Sequence, residues 1–314
     1  MTRYILTRVM LAIPTLLLAL AAIFFLVRLI PGDPAQLMLG DVDDPAALAR
    51  IRQELALDQP LPVQFGHWLL QLLRGDLGQS ITLDSPVSDL LLPSFAVTAS
   101  LVVPAVVVAA LIAIPAGVVA GWKQNTRLDV AVMTLATLAL SIPSFWLGLM
   151  FLLVFGVYLN LLPVVGYVSP LEDVWQGLSY LVLPVMSLAL IEAGVLIRLV
   201  RASTIEVLGL DYIAHARAKG LTEAAVIVRH VLPNAMAPTW TMIGLTLGGL
   251  LGGAVVTETV FSLPGLGRLM VESVFARDYP VIQGCMVIVT VAYVSVNLLT
   301  EITYPIFSPG ARDA

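Results

Sequence analysis

Few side chains in this chain could carry covalent or metal chemistry. The three histidines, His67, His215 and His230, lie far apart, without the i, i+4 spacing that brings two imidazoles to one metal. An intramembrane hydrolase needs a helix-borne H-E-x-x-H or a serine with a base, and these histidines supply neither, so each reads as an ordinary polar residue. Cys285 is the single cysteine and sits in an apolar stretch, where a lone thiol reads as a small buried residue. No G-x-x-x-x-G-K-[ST] phosphate loop occurs, so nucleotide chemistry has no seat here. What remains is carboxylates in apolar surroundings, which are costly at membrane depth. Glu192 falls midway through an apolar run, where it either lines a wet cavity and meets a cationic amine or pairs with a cation on a second chain. Glu258 lies near the end of another such run.

The elements that position these residues follow from composition. Of 314 residues, 59% are hydrophobic and 12% charged, against about half and about a quarter in soluble domains. Lipid around most of the surface accounts for that gap. The formal charge of −5 leaves no basic face for a nucleic acid. A spanning helix needs about 20 apolar residues, and six stretches qualify: Val9–Ile30, Val97–Gly121, Val130–Leu159, Tyr180–Val200, Met236–Val256 and Val281–Phe307. The third holds Pro143, followed by Ser144, and is expected to be long, kinked or tilted. The first follows Arg3 and Arg8 but exceeds the ~7–15 residues of a signal-peptide core, so it reads as a retained helix. Gly244, Gly248 and Gly252 form a four-residue seam in the fifth span, with Gly249 and Gly253 offset by one. Such seams let helices approach closely. Contact with a second membrane subunit or the pore is favoured, with packing inside the chain as the equal alternative.

Basic residues set the orientation. With the N-terminus inside, the inner segments hold Arg3, Arg8, Lys123, Arg127, Arg198, Arg201, Arg217, Lys219, Arg229 and Arg312. The outer ones hold Arg28, Arg50, Arg52, Arg74, Arg268 and Arg277, beside many acids. The expected organisation is therefore an inner start and first helix over 1–30, an external loop over 31–96, a five-helix core over 97–307 and an inner tail over 308–314. In the external loop, Asp44-Pro45 reads as a helix start, with Leu48, Ile51 and Leu55 at helical spacing. A second short helix is expected over Pro62–Leu73. This loop either caps the bundle or docks an external partner.

The internal loop, 201–235, carries the richest pattern. Asp211 reads as an N-cap, the alanine-rich stretch to Lys219 favours helix, and Gly220 suits a left-handed position after it. Thr222 reads as the cap of a second short helix with Glu223 at its positive end, and Pro233 disfavours helix at Leu232. The result is a compact hairpin bearing Arg217, Lys219 and Arg229. Small residues at Ala214, Ala216 and Ala218 leave room for another surface. It is either a docking element or an interfacial hairpin resting on lipid headgroups.

The run Ala214-His215-Ala216-x-x-x-Gly220, nine residues, then His230-Val231-Leu232-Pro233, resembles the E-A-A-x-x-x-G…I-x-L-P signature of permease subunits in ATP-binding-cassette importers. Ala214 replaces the glutamate and His230 the isoleucine. A literal Glu223-Ala224-Ala225 is out of register with the glycine and reads as coincidence. Further blocks resemble the dipeptide/oligopeptide/nickel branch: Leu29-Ile-Pro-Gly-Asp-Pro34, Leu57-Asp-Gln-Pro-Leu-Pro62, Gly75-Asp-Leu-Gly78, Ser141-Ile-Pro-Ser-Phe-Trp-Leu-Gly148, Thr257-Glu-Thr-Val-Phe261, Pro264-Gly-Leu-Gly267 and Arg277-Asp-Tyr-Pro280. The pattern is similar to the first of the two permeases in such systems.

The resemblance implies an all-α type I importer permease of six transmembrane helices in a bacterial inner membrane, with both termini cytoplasmic. It implies a second permease, two ATP-binding subunits that hold ATP and magnesium, and an external binding protein. This chain would itself be non-catalytic, with no cofactor or metal. The loop then corresponds to the coupling helix, carried here by Asp211, Ala214, His215, Ala216, Arg217, Lys219, Gly220, Leu232 and Pro233. Glu258 and Arg268 resemble the family's external gate segment, and Glu192 and Glu258 are candidates for the substrate path. Short peptides are the expected cargo, with glutathione or a nickel chelate as alternatives. An ion-coupled secondary transporter is the distant rival, and no internal repeat supports it.

Overall fold

The computed structural model describes residues 2–29 and 58–307, with positions 45, 46, 49 and 52 between them. The expected helix bearing Leu48, Ile51 and Leu55 lies outside the described residues. The described chain is helical, with one isolated bridge between Gln79 and Pro86. Four helices are long and apolar enough to span a membrane: α1 (Thr2–Arg28), α3 (Val87–Trp122), α6 (Val174–Leu208) and α12 (Tyr279–Phe307). α2 (Leu61–Leu73) is the expected short outer helix.

The third expected span is broken. α4 (Arg127–Ser141) and α5 (Ser144–Phe151, continued by a π-helical stretch, Leu152–Tyr158) meet at 96°. Ile142 is extended and Pro143 caps α5, which its missing N–H suits. Counted as one, the pair gives a fifth span. By length and apolarity alone the described residues thus give four or five of the six expected spans, and α9 (Leu232–Gly253) is not among them. Pro238, threonines and glycines dilute its 22 residues.

α3 begins ten residues before the apolar run that predicts it, so residues 87–96 are helix rather than loop. Its 36 residues reach about 54 Å at 1.5 Å each, more than the ~30 Å of hydrocarbon. α3 and α6 form the central pair. Gly117 and Gly121 lie against Val200 and Thr204, where a Cβ would approach within 2.6 and 2.7 Å. Further along the two helices a core forms from Leu101, Val102, Ala105 and Leu188, with Leu263. α1 packs on the outside, against α12 and α2, through Leu20, Ile23 and Val287.

The bundle has two distinct ends. At one end the start of α1 meets the end of α12, where the Tyr4 hydroxyl donates to the Glu301 carbonyl (3.1 Å) and Arg8 pairs with Glu301 (3.5 Å). Trp240, early in α9, donates to Thr303 (2.8 Å) at the same end. α3 finishes there and α4 starts there. At the other end Arg28 donates to Gln64 of α2 (3.0 Å), and Asp278 gathers the 78–86 loop. Two basic sets predicted from sequence therefore fall at opposite ends, within the described residues.

Candidate functional site

The loop expected to be internal, 201–235, forms a hairpin at the end of the bundle that holds the start of α1. α7 (Asp211–Ala218) packs inward through Ile213 and Ala216, onto Val207, Val226, Val231 and Ala235. Its other face, with Ala214, His215, Arg217, Ala218 and Lys219, is exposed. A helix of eight residues is marginal alone, and this buried pair of contacts is what holds it.

The turn is a Schellman closure. Gly220 has φ +81°, the Leu221 amide donates to the Ala216 carbonyl (3.4 Å) and the Gly220 amide to that of Arg217 (2.9 Å). A Cβ on Gly220 would meet nothing within 4 Å, so the glycine is needed for its backbone and not for space. Thr222 caps α8 (Glu223–Val226) by accepting from the Ala225 amide (3.4 Å).

Two expectations need correction. Asp211 is not the N-cap; Leu210 holds that position, with no side-chain bond, and Asp211 stands exposed in the first turn, where only the helix dipole favours it. Pro233 does not end a helix at Leu232. Leu232 has φ −55° and ψ −49°, and Pro233 occupies the first turn of α9, where a missing N–H is harmless. α8 therefore runs through a π-helical turn (Ile227–Val231) straight into α9. Ile227 and Leu232 pack there with Val118, Val200 and Trp122. The hairpin is thus one end of a continuous helical rod.

A charged tie closes the turn between α7 and α8. Arg217 reaches Glu223 through two bonds of 2.8 and 3.3 Å. Lys123 sits over the Trp122 ring at 4.2 Å. The Arg217 guanidinium, helped by Trp122 and Lys123, holds the Glu223 carboxyl below the usual carboxylate range. Both members of the pair are about half exposed, so the tie sets geometry more than it adds stability. Close by, Arg201 grips Asp129 bidentately (2.6 and 2.8 Å), fixing α6 to α4 beside a groove lined by Met133, Thr134 and Thr137.

The remaining candidates lie elsewhere. The glycine seam packs inside the chain: a Cβ on Gly244 would overlap Thr300, and on Gly248 and Gly252 it would come within 2.8 Å of Tyr293 and 3.1 Å of Val289. All three neighbours lie on α12, so the favoured contact with a second subunit or the pore is corrected to intrachain packing. Gly249 and Gly253 face open space. Glu192 is half-buried on α6, with no hydrogen bond or ion pair among the described residues. Glu258 is fully buried with both carboxylate oxygens engaged, so it lines no open path as placed. Ser144 starts α5 beside the break. No group of three metal-ligating side chains occurs among the described residues. The Glu258 cluster was missed from sequence, although Pro264-Gly-Leu-Gly267 was its visible trace.

Residues 113–313 match the family described as binding-protein-dependent transport system inner membrane component, and residues 1–102 match its N-terminal membrane component. The chain belongs to that family. This permease is 43% identical over 312 residues to a protein of Brucella abortus named as a peptide transport system permease protein, with 99% of each chain covered. It is 41% identical over 312 residues, again with 99% of each covered, to a glutathione transport system permease protein of Salmonella typhimurium. Its fold is similar to a chain of the MetNI methionine ABC transporter in inward-facing conformation, with a TM-score of 0.58, 18% identity, and 69% of this chain and 96% of that one covered. Membership makes the permease the membrane component of a transport system that also contains ATP-binding and substrate-binding parts.

Proposed function

We propose that the permease forms half of the membrane pathway of an ATP-driven importer for short peptides. It pairs with a second, homologous permease, two ATP-binding subunits hold ATP and magnesium below it, and an external binding protein delivers cargo. The hairpin end faces the cytoplasm, so both termini are cytoplasmic and the membrane is a bacterial inner membrane. The permease catalyses nothing itself. Near-full-length identity of 43% to a peptide permease carries the choice of cargo. Glutathione, a tripeptide, is the second reading, favoured by the 41% relative.

In this reading the exposed face of α7 seats in the ATPase. Ala214, His215, Arg217, Lys219 and Gly220 meet the partner, whereas Ala216 and Leu232 anchor the hairpin from below. Closure of the ATPases pushes the hairpin, and the unbroken path from α8 through the π-helical turn passes that push to α9. An extended linker would absorb it. Glu192, unpartnered among the described residues, meets cargo amines or a cation on the second permease.

The test is reconstitution of the whole complex in vesicles with its binding protein. Uptake of labelled di- and tripeptides that requires ATP supports the reading, and faster uptake of glutathione selects the second cargo. Uptake driven by an ion gradient without ATP would refute both. Glu192→Gln is expected to slow uptake or change its selectivity; unchanged rate and selectivity remove Glu192 from the path.

A further inference from the structure

α9 leaves the hairpin and ends at Gly253, and α10 (Val255–Val260) follows after Ala254 alone, itself in helical geometry. The rod therefore reaches the opposite end of the bundle without an extended linker. There it meets Glu258, which is fully buried. One carboxylate oxygen accepts from the Thr98 hydroxyl of α3 (2.6 Å), and the other accepts from the Arg268 amide (2.9 Å). The Leu266 amide donates to the Thr98 hydroxyl oxygen (2.8 Å).

The Leu266 and Arg268 amides lie in the opening turn of α11 (Leu266–Ala276), whose own cap, Gly265, has no side chain to satisfy them. Glu258 and Thr98 do so from other elements. The two glycines make room: a Cβ on Gly265 would overlap the Glu258 carboxyl, and one on Gly267 would come within 2.8 Å of Val255. On the other side, Phe261 lies 3.0 Å from where Gly148 of α5 would carry a Cβ. One acid thus joins α10, α11 and α3. Every neighbour aimed at it is a donor, which suits a carboxylate, an acceptor only, and not an amide.

We infer that Glu258 is a positioning residue for transport, a staple that pins the far end of the α9–α10 rod to α3. A push at the hairpin then rotates α9 about that fixed point instead of sliding it along the bundle. This inference rests on the proposed coupling role of the hairpin. It assigns Glu258 no contact with cargo.

The experiment uses the complete reconstituted importer with Glu258→Gln, Thr98→Val and Thr98→Ser. Two quantities are read: cargo imported per ATP hydrolysed, and the distance between spin labels at two exposed positions, Leu92→Cys and Thr259→Cys, with and without ATP. Native Cys285 is fully buried and does not compete for label. The parent and Thr98→Ser give one narrow distance in both nucleotide states. Glu258→Gln and Thr98→Val assemble and hydrolyse ATP, import at least tenfold less cargo per ATP, and show a broadened distance. Parental coupling and a narrow distance in both variants overturn the inference. So does failure of both to assemble while Thr98→Ser assembles, since the group would then be needed only for folding. If a Gly220→Val complex couples normally, the hairpin reading fails, and the label distance still judges the staple by itself.

Discussion

Substituting Gly220 with valine isolates the backbone term of the hairpin. Gly220 sits at φ +81° with nothing within 4 Å of a Cβ, so no steric clash inside the chain contributes. The left-handed conformation costs an L-residue about 1–2 kcal/mol, more for a β-branched one. A shift of ~1.4 kcal/mol is tenfold in population, so the closed turn should fall roughly five- to thirtyfold relative to opened forms. Asparagine tolerates this conformation far better. In vesicles bearing the whole complex, Gly220→Val should lose most uptake per ATP while the permease stays inserted, and Gly220→Asn should retain most of it. Parental coupling in the valine variant would refute the role of the turn. Equal failure of both variants would show that the partner surface excludes any side chain, which contradicts the backbone argument.

Other expectations follow from the same geometry. Gly248→Leu must displace Tyr293, so it should lower the thermal stability of the detergent-solubilised chain itself, by about 1–3 kcal/mol or more for overpacking; a stable chain that merely loses its partner permease would contradict this. Asp129→Ala strips Arg201 of its bidentate partner and should lower the melting temperature, by less than the ~3–5 kcal/mol of a fully buried pair because Arg201 is 25% exposed. An unchanged melting temperature would show the pair to be dispensable. Burial raises the Asp278 carboxyl, but bonds from Ser80 (2.5 Å) and from the Thr82 hydroxyl and amide outweigh it and hold it below the ordinary value. Its stabilising contribution is therefore present above about pH 3.9, the ordinary aspartate value, and is lost as pH falls through its lower folded value. Amide protection in the 78–86 loop, taken relative to the intrinsic exchange rate at each pH, should fall in acid, and Asp278→Asn should show lowered protection already at neutral pH.

Much of the architecture was readable because lipid demands long apolar runs, and α1, α6 and α12 sit where those runs lie. The hairpin turn was readable because Gly220 and Thr222 act locally, each through its own backbone or hydroxyl. What escaped depends on distant residues. The seam at Gly244, Gly248 and Gly252 spells close packing, but its partners Thr300, Tyr293 and Val289 lie on α12 and nothing local names them. Glu258 looked like an acid near a wet path because its acceptor role depends on Thr98, 160 residues earlier, and on the amides of a helix start. Asp211 misled because Asp is a common cap and the true cap, Leu210, is one residue earlier. Pro233 misled because the same residue that disfavours helix before it is well placed in a helix's first turn.

The central claim is that the exposed face of α7 is gripped by an ATP-hydrolysing neighbour. Photo-crosslinking from position 219, where Lys219 is exposed on that face, tests it directly in membrane vesicles that hold the whole system and whose nucleotide content is set from outside. One dominant adduct with the ATP-binding subunit is expected, its yield changing between nucleotide-free and ATP-bound states. Adducts with lipid alone, or with the external binding protein, would contradict it.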